Sequence, residues 1–248
     1  MAKSPKADKE TTAEEAPLLP REPDTEKGKQ AREQYLVLAK AALRVNFEDY
    51  QTLFQAYASE DPEDQQTAQQ LDRTVAQVAL QAGHSPRQVI QCIAQGPYVQ
   101  CKTRGQSPDE KKAALPKLLY YAKTQVDTAQ KQRYTEYANA VTGKIQSYAD
   151  LYRESVSSDL AAIQLDQQVV AAALRAGESA EAVTHLLYQG PYAQFQQSVK
   201  GMDAGSLDQY AKGTVAQVQS IQSLQISGDG GGVGRRKSQT PKAHCQSK

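Results

Sequence analysis

Residues 71 to 100, LDRTVAQVALQAGHSPRQVIQCIAQGPYVQ, align without a gap on residues 165 to 194, LDQQVVAAALRAGESAEAVTHLLYQGPYAQ, and fourteen of the thirty positions are identical. Chance does not produce such a match, so the chain carries an internal duplication, and whatever it folds into must be built twice. Weaker matches flank the strong one. Tyr35 to Ala39 (YLVLA) resembles Tyr134 to Ala138 (YTEYA), Gln51 to Tyr57 resembles Gln146 to Tyr152, and Tyr121-Ala122-Lys123 resembles Tyr210-Ala211-Lys212. The offset drifts from about 99 to about 89 along the chain, as it does when the loops between repeated elements differ in length.

The repeated segment reads as helix, corner, helix, corner. Leu71, Val75, Val78 and Ala82 recur at i, i+4, i+7 and i+11, and Leu165, Val169, Ala172 and Ala176 follow them, which makes one apolar helix face. Gly83 and Gly177 fall where a helix ends on a left-handed residue, and Ser85 and Ser179 fall where the next helix needs an N-cap, with Pro86 and Gln88 completing a capping box in the first copy. A short helix then turns Val89 and Ile93, or Val183 and Leu187, inward and stops at the repeated tetrapeptide Gln-Gly-Pro-Tyr. There Gly96 and Gly190 are expected to supply a left-handed stop, Pro97 and Pro191 to open the following helix, and Tyr98 and Tyr192 to lay a ring across the corner. Asp72 and Asp166 read as first-turn carboxylates favoured by a helix dipole.

Helical patterning continues outside the duplicated stretch. Residues 31 to 59 read as one long amphipathic helical stretch ending near the acidic turn Ser59-Glu60-Asp61-Pro62. Ser107-Pro108-Asp109-Glu110 is a capping box opening a tract that is expected to break at Pro116 and to run on toward Ser157. Alternating strand patterns are lacking. The expected fold is therefore all-α: two tandem copies of a unit of ~90 residues, over 31–128 and 129–226, between a charged, proline-bearing N-terminal tail (1–30) and a glycine-rich basic tail (227–248), both expected to be disordered.

Charge confines the functional reading. The net charge is +1; residues 227–248 hold Arg235, Arg236, Lys237, Lys242 and Lys248 against Asp229, a local +4, while residues 1–30 carry −1, which leaves −2 on the body. Contact with nucleic acid is thus expected in the tail, through Arg235, Arg236, Lys237 and Lys242. The start MAKSPKADKE has no apolar leader and no run approaches a membrane span, so a cytoplasmic protein is expected.

The remaining chemistry is thin. GDGGGVGRRKS fits neither phosphate-loop spacing, which leaves a linker. His84 becomes Glu178 in the second copy, His185 stands where the first has Gln91, and Cys92 and Cys101 become Leu186 and Phe195, so the thiols behave as apolar packing positions and no metal site or cofactor is expected. No nucleophile–histidine set is repeated, and no small-molecule substrate is evident, so we expect no catalytic activity. The thirteen tyrosines could stack single-stranded bases, but pairs such as Tyr134/Tyr137 and Tyr148/Tyr152 lie at helical spacing that suits interhelical packing.

The corner pattern D-x-x-V-A-x-x-A-L-x-A-G-x-S-x-x-x-V-x-x-x-I, Asp72 to Ile93, resembles a helical module seen in bacterial plasmid and mobile-element proteins, in accessory regions of mobilisation relaxases and of plasmid or phage primases. There the module runs on into Ser-Pro and later a Tyr-Ala helix; here Gly-Pro-Tyr replaces Ser-Pro, and Tyr121-Ala122-Lys123 and Tyr210-Ala211-Lys212 match the later element. A relaxase needs a catalytic tyrosine beside a histidine metal cluster, and a primase needs clustered carboxylates on strands; this chain has neither set. The resemblance therefore implies the accessory module standing alone, bound to DNA-processing machinery and to a protein partner. A protein–protein scaffold with no nucleic-acid role is the alternative, and an enzyme working through residues unique to one copy is a third.

Overall fold

The computed structural model describes residues 26–229, with side chains described as far as Leu224. Within them the chain is all-helical, with eleven helices and no strand. The first five are α1 (Glu26–Leu43), α2 (Tyr50–Tyr57), α3 (Pro62–Gln81), α4 (Pro86–Ile93) and α5 (Pro97–Thr103). A long α6 (Pro108–Thr142) follows, then α7 (Tyr148–Ser157), α8 (Asp159–Arg175), α9 (Ala180–Tyr188), α10 (Pro191–Ser198) and α11 (Ala204–Asp229).

Several starts and stops follow the sequence directly. Ser85 accepts from the Gln88 amide while Gln88 answers to the Ser85 backbone, closing a capping box, and Ser179 accepts from the Ala182 amide at 3.1 Å. Gly83 and Gly177 are left-handed, at φ 85° and 89°, and the amides of His84 and Glu178 reach back to the carbonyls of Ala79 and Ala173, which is the Schellman closure.

Other expectations give way. The stretch 31 to 59 is two helices, because Arg44 turns left-handed (φ 56°) and the Asp49 carboxylate then caps a new helix start at Thr52. The N-terminal boundary at residue 30 moves as well, since α1 begins at Glu26; residues 1–25 lie outside the described residues. At the other end α11 takes in Ser227 to Asp229, and residues 230–248 lie outside. Pro116 does not break α6. It sits on an exposed face, where water can solvate the Lys112 carbonyl that the proline leaves without an amide donor. The tract ends instead at Thr142, where Gly143 (φ 68°) reverses the chain before Ser147 caps α7. On α3 the inward face is Leu71, Asp72, Val75, Ala76, Ala79 and Leu80, with Val78 at its margin and Ala82 exposed; on α8 it is Asp166, Val169, Val170 and Ala173, with Ala176 exposed.

The apolar interior forms two clusters. One joins Tyr35, Leu38, Leu53, Leu71, Val75, Val89 and Ile93 with Ala122, Val126 and Ala129. The other joins Tyr134, Ala138, Leu151, Val169, Val183, Leu186 and Leu187 with Ala211, Val215 and Val218. Helix α6 belongs to both: its middle closes the first cluster and its C-terminal part opens the second. The cut at 128/129 expected from the repeat therefore falls inside a continuous helix of about 52 Å at 1.5 Å per residue.

Candidate functional site

The most concentrated polar chemistry in the described residues is buried, and it occurs twice. Asp72 and Asp166 are fully buried. Neither is a first-turn carboxylate: Asp72 is the eleventh residue of α3 and Asp166 the eighth of α8, and both project from the apolar face into the core. The Tyr35 hydroxyl donates to one Asp72 oxygen at 2.6 Å and the Tyr121 hydroxyl to the other at 2.7 Å. In the second cluster Tyr134 and Tyr210 donate to the two Asp166 oxygens at 2.5 and 2.6 Å. Each carboxylate thereby fastens three helices, α1, α3 and α6 in one case and α6, α8 and α11 in the other.

Gln-Gly-Pro-Tyr is built around this lock. Gly96 and Gly190 are not left-handed stops; at φ −66° and −62° they are N-caps in extended backbone. What demands glycine is proximity. A Cβ on Gly96 would lie 2.3 Å from the Asp72 carboxylate and 2.9 Å from the Tyr35 ring; one on Gly190 would lie 3.0 Å from the Tyr134 ring and 3.2 Å from Asp166. Pro97 and Pro191 each occupy the first helical position. Tyr98 and Tyr192 lay their rings on Tyr121 and Tyr210, with centroids 4.4 and 4.9 Å apart. Gln95 and Gln189 offer their carbonyls to the hydroxyls of Tyr50 and Tyr148, and a cation, Arg32 or Lys131, stands over each of those two rings at 5.8 and 5.4 Å. The pairing Tyr50/Tyr148, with Leu53/Leu151 both buried, shows that the sequence match of Gln51 to Gln146 is three residues out of register.

Burial pushes the Asp72 carboxyl up to about 7 and the Asp166 carboxyl up to about 6, with the tyrosine hydrogen bonds pulling the other way. The four tyrosines are held far above their ordinary range, by burial first and by the neighbouring carboxylate second, so they stay protonated donors. Each carboxylate oxygen thus accepts one tyrosine hydroxyl from a different helix, and the geometry is that of a fastening.

One buried feature is not repeated. Arg133 and Glu178 form an ion pair with side chains 3% and 8% exposed, and Tyr137 donates to the same glutamate at 2.5 Å. The first half has Gln34, His84 and Leu38 at the corresponding positions. Between them, α6, α8 and α11 also leave an open groove of about 1400 Å³ lined by Ala140, Val141, Gln164, Gln168 and Arg175 among others.

Of the residues singled out in the sequence, Gly96, Pro97 and Tyr98 with Gly190, Pro191 and Tyr192 stand beside the two locks, whereas Gly83 and Ser85 with Gly177 and Ser179 only turn the chain between α3 and α4 and between α8 and α9. Cys92 is buried and Cys101 half-buried, like their counterparts Leu186 and Phe195. Arg235, Arg236, Lys237 and Lys242 lie outside the described residues. Among the described residues no group of three or more histidines, cysteines or carboxylates is placed to hold a metal, and no helix is long and apolar enough to cross a membrane. The buried triads were missed in the sequence; the clue was an aspartate on an apolar face that recurs together with two tyrosines, Tyr35 with Tyr121 and Tyr134 with Tyr210. No family model, curated protein or solved structure matches this chain.

Proposed function

We propose that the protein is a non-catalytic scaffold of two tandem helical units, acting as an accessory protein of DNA-processing machinery on a plasmid or other mobile element, and touching nucleic acid through its basic C-terminal tail. The observation that carries the scaffold reading is the twofold occurrence of the tyrosine–aspartate–tyrosine lock: the side chains with most chemical potential are spent, in both halves, on fixing helices to one another. The likeness of Asp72 to Ile93 to accessory regions of mobilisation and priming proteins supplies the setting, and the +4 charge of residues 227–248 supplies the contact.

The reading is tested with labelled single-stranded and duplex DNA titrated with the full chain across a salt series, beside a full-length variant carrying Arg235→Gln, Arg236→Gln, Lys237→Gln and Lys242→Gln. Binding by the wild type, with log K falling by about 0.7 to 0.9 per phosphate neutralised for each unit of log salt, and a shallower slope in the variant, supports it. No binding even at low salt refutes it. The second reading, a scaffold for protein alone, is favoured by the open glutamine-rich groove beside α6.

A further inference from the structure

Twelve of the thirteen tyrosines, all of them within the described residues, are engaged through a hydroxyl or a ring: in the two locks, at the two glutamine carbonyls, against Glu178 or Asp208, or in aromatic pairs. Tyr120 is the exception. Its side chain is 74% exposed and meets neither another ring nor a polar partner. It stands on the outward face of the first half of α6 with Lys112, Lys117 and Lys123, all exposed. At 100° per residue these four side chains fall within an arc of about 140° and span about 16 Å of helix. Lys123 is paired with Asp127, whereas Lys112 and Lys117 have no carboxylate partner. Of the other acids on this stretch, Glu110 is committed to the Ser107 cap and Asp109 sits in the first turn, beyond the lysines. The surface continues sideways, since Tyr121, next in sequence to Tyr120, carries the Tyr98 ring, over which Lys102 is placed at 5.7 Å.

The second half shows that the fold does not require this arrangement. Counting back from the lock tyrosines, Tyr120 corresponds to Gln209 and Lys117 to Ser206. Lys112 has no counterpart, because α6 begins at Pro108, thirteen residues before Tyr121, while α11 begins at Ala204, six before Tyr210. Those seven extra residues, about two turns, add helix that carries Lys111 and Lys112 out beyond the lock. The half that keeps the same lock without the exposed ring and the two unpaired cations folds on the same plan, so packing does not require them.

We propose that the outward face of α6 from Lys112 to Lys123, centred on the Tyr120 ring, is a binding surface for single-stranded nucleic acid. An unpartnered aromatic face accepts an unstacked base of any sequence, and ammonium groups on either side meet the flanking phosphates. A duplex keeps its bases stacked and offers only the phosphates, so it binds this face less well. The inference rests on the nucleic-acid reading above but places the contact on the folded body.

The test uses full-length protein and a labelled oligothymidylate, with anisotropy followed across a salt series. Tyr120→Ala is expected to weaken binding between about fivefold and a hundredfold, with the salt slope unchanged, and Tyr120→Phe to restore it. Lys112→Gln with Lys117→Gln is expected to lower the slope by about 1.4. These side chains are exposed, and unchanged circular dichroism and melting confirm that the variants fold. If both α6 variants bind as the wild type does while the tail-neutralised variant of the previous section is weakened, this proposal is overturned and the tail reading stands. Loss in the α6 variants alone supports the face at the tail's expense, equal affinity for duplex overturns the single-strand assignment, and no binding by the wild type overturns both.

Discussion

The two glycines of the repeated tetrapeptide form an internal control, and Gly96→Ala against Gly190→Ala is the sharpest probe of the locks. Both residues have ordinary negative φ, so neither alanine strains the backbone, and both are N-caps without a side-chain bond, so the modest loss of capping, partly offset by the stiffer unfolded chain, is common to the pair. What differs is the space. At Gly96 the new methyl would sit 2.3 Å from an Asp72 oxygen and 2.9 Å from the Tyr35 ring, and the carboxylate cannot swing aside without giving up the hydrogen bonds that Tyr35 and Tyr121 donate to it. At Gly190 the nearest atoms, the Leu187 carbonyl and the Tyr134 ring at 3.0 Å and the Asp166 carboxylate at 3.2 Å, need give only a few tenths of an ångström. Overpacking of the first kind costs about 3 kcal/mol and of the second about 1 kcal/mol. In a chain of this size that is a loss of roughly 6 to 12 °C in Tm for Gly96→Ala against 2 to 4 °C for Gly190→Ala. Thermal melts followed by circular dichroism, with urea titrations to check that m is unchanged, read the difference. Equal losses would show that Asp72 moves freely, and the account of the lock as a tight three-helix fastening would be refuted.

Other consequences are open to measurement. The carboxyls of Asp72 and Asp166 titrate near 7 and 6 in the folded chain, above the unfolded value of 3.8, so the native state binds their protons first and stability should rise as pH falls from about 7 toward 4, the opposite of common acid denaturation. His185, held below its ordinary value by burial, opposes this below 6.5, and the lowered carboxyls of the exposed caps Asp49, Glu110, Asp150 and Asp203 reverse the trend below about 4. Asp72→Asn isolates one group: relative to it the wild type should gain up to about 1.4 kcal/mol per pH unit across that window, and a constant difference in urea titrations would contradict the assignment. In the second half, Arg133→Gln or Glu178→Gln alone leaves a buried charge unpaired and should cost about 3 to 5 kcal/mol, while the double variant, which resembles the uncharged Gln34 site of the first half, should cost less than the sum; strict additivity in a double-mutant cycle would argue against a coupled pair.

The helices and their corners were legible in the sequence because the grammar of helix ends is local. Gly83 must be left-handed and Ser85 must cap whatever lies elsewhere in the chain, and both did so. The locks were not legible because their meaning is tertiary. Asp72 on an apolar helix face was an anomaly without a stated partner, and Gly96 looked like any helix stop; only when α1 and α6 deliver Tyr35 and Tyr121 does the aspartate become a buried acceptor and the glycine a gap that must stay empty. Pro116 misled in the other direction. An interior proline removes one helix hydrogen bond and crowds the preceding turn, and here Pro116 and Lys112 both lie on the exposed face, so the cost is met where water can help and the helix continues.

Tyr121 fastens one lock and Tyr134 the other, and both stand on α6. Thirteen residues of unbroken helix therefore fix the second fastening about 20 Å along the axis from the first and about 220° around it. The helix between them works as a ruler and a protractor at once, graded in whole residues. One residue inserted between Tyr121 and Tyr134 would add 1.5 Å and about 100°, swinging one half of the molecule to a different compass bearing, whereas eighteen would lengthen the rod by about 27 Å and restore the original heading. Evolution or design can thus reset the distance between the halves without turning one against the other only by insertions close to a whole number of turns, such as seven, eleven or eighteen residues, and any partner that grips both must be cut to that gauge.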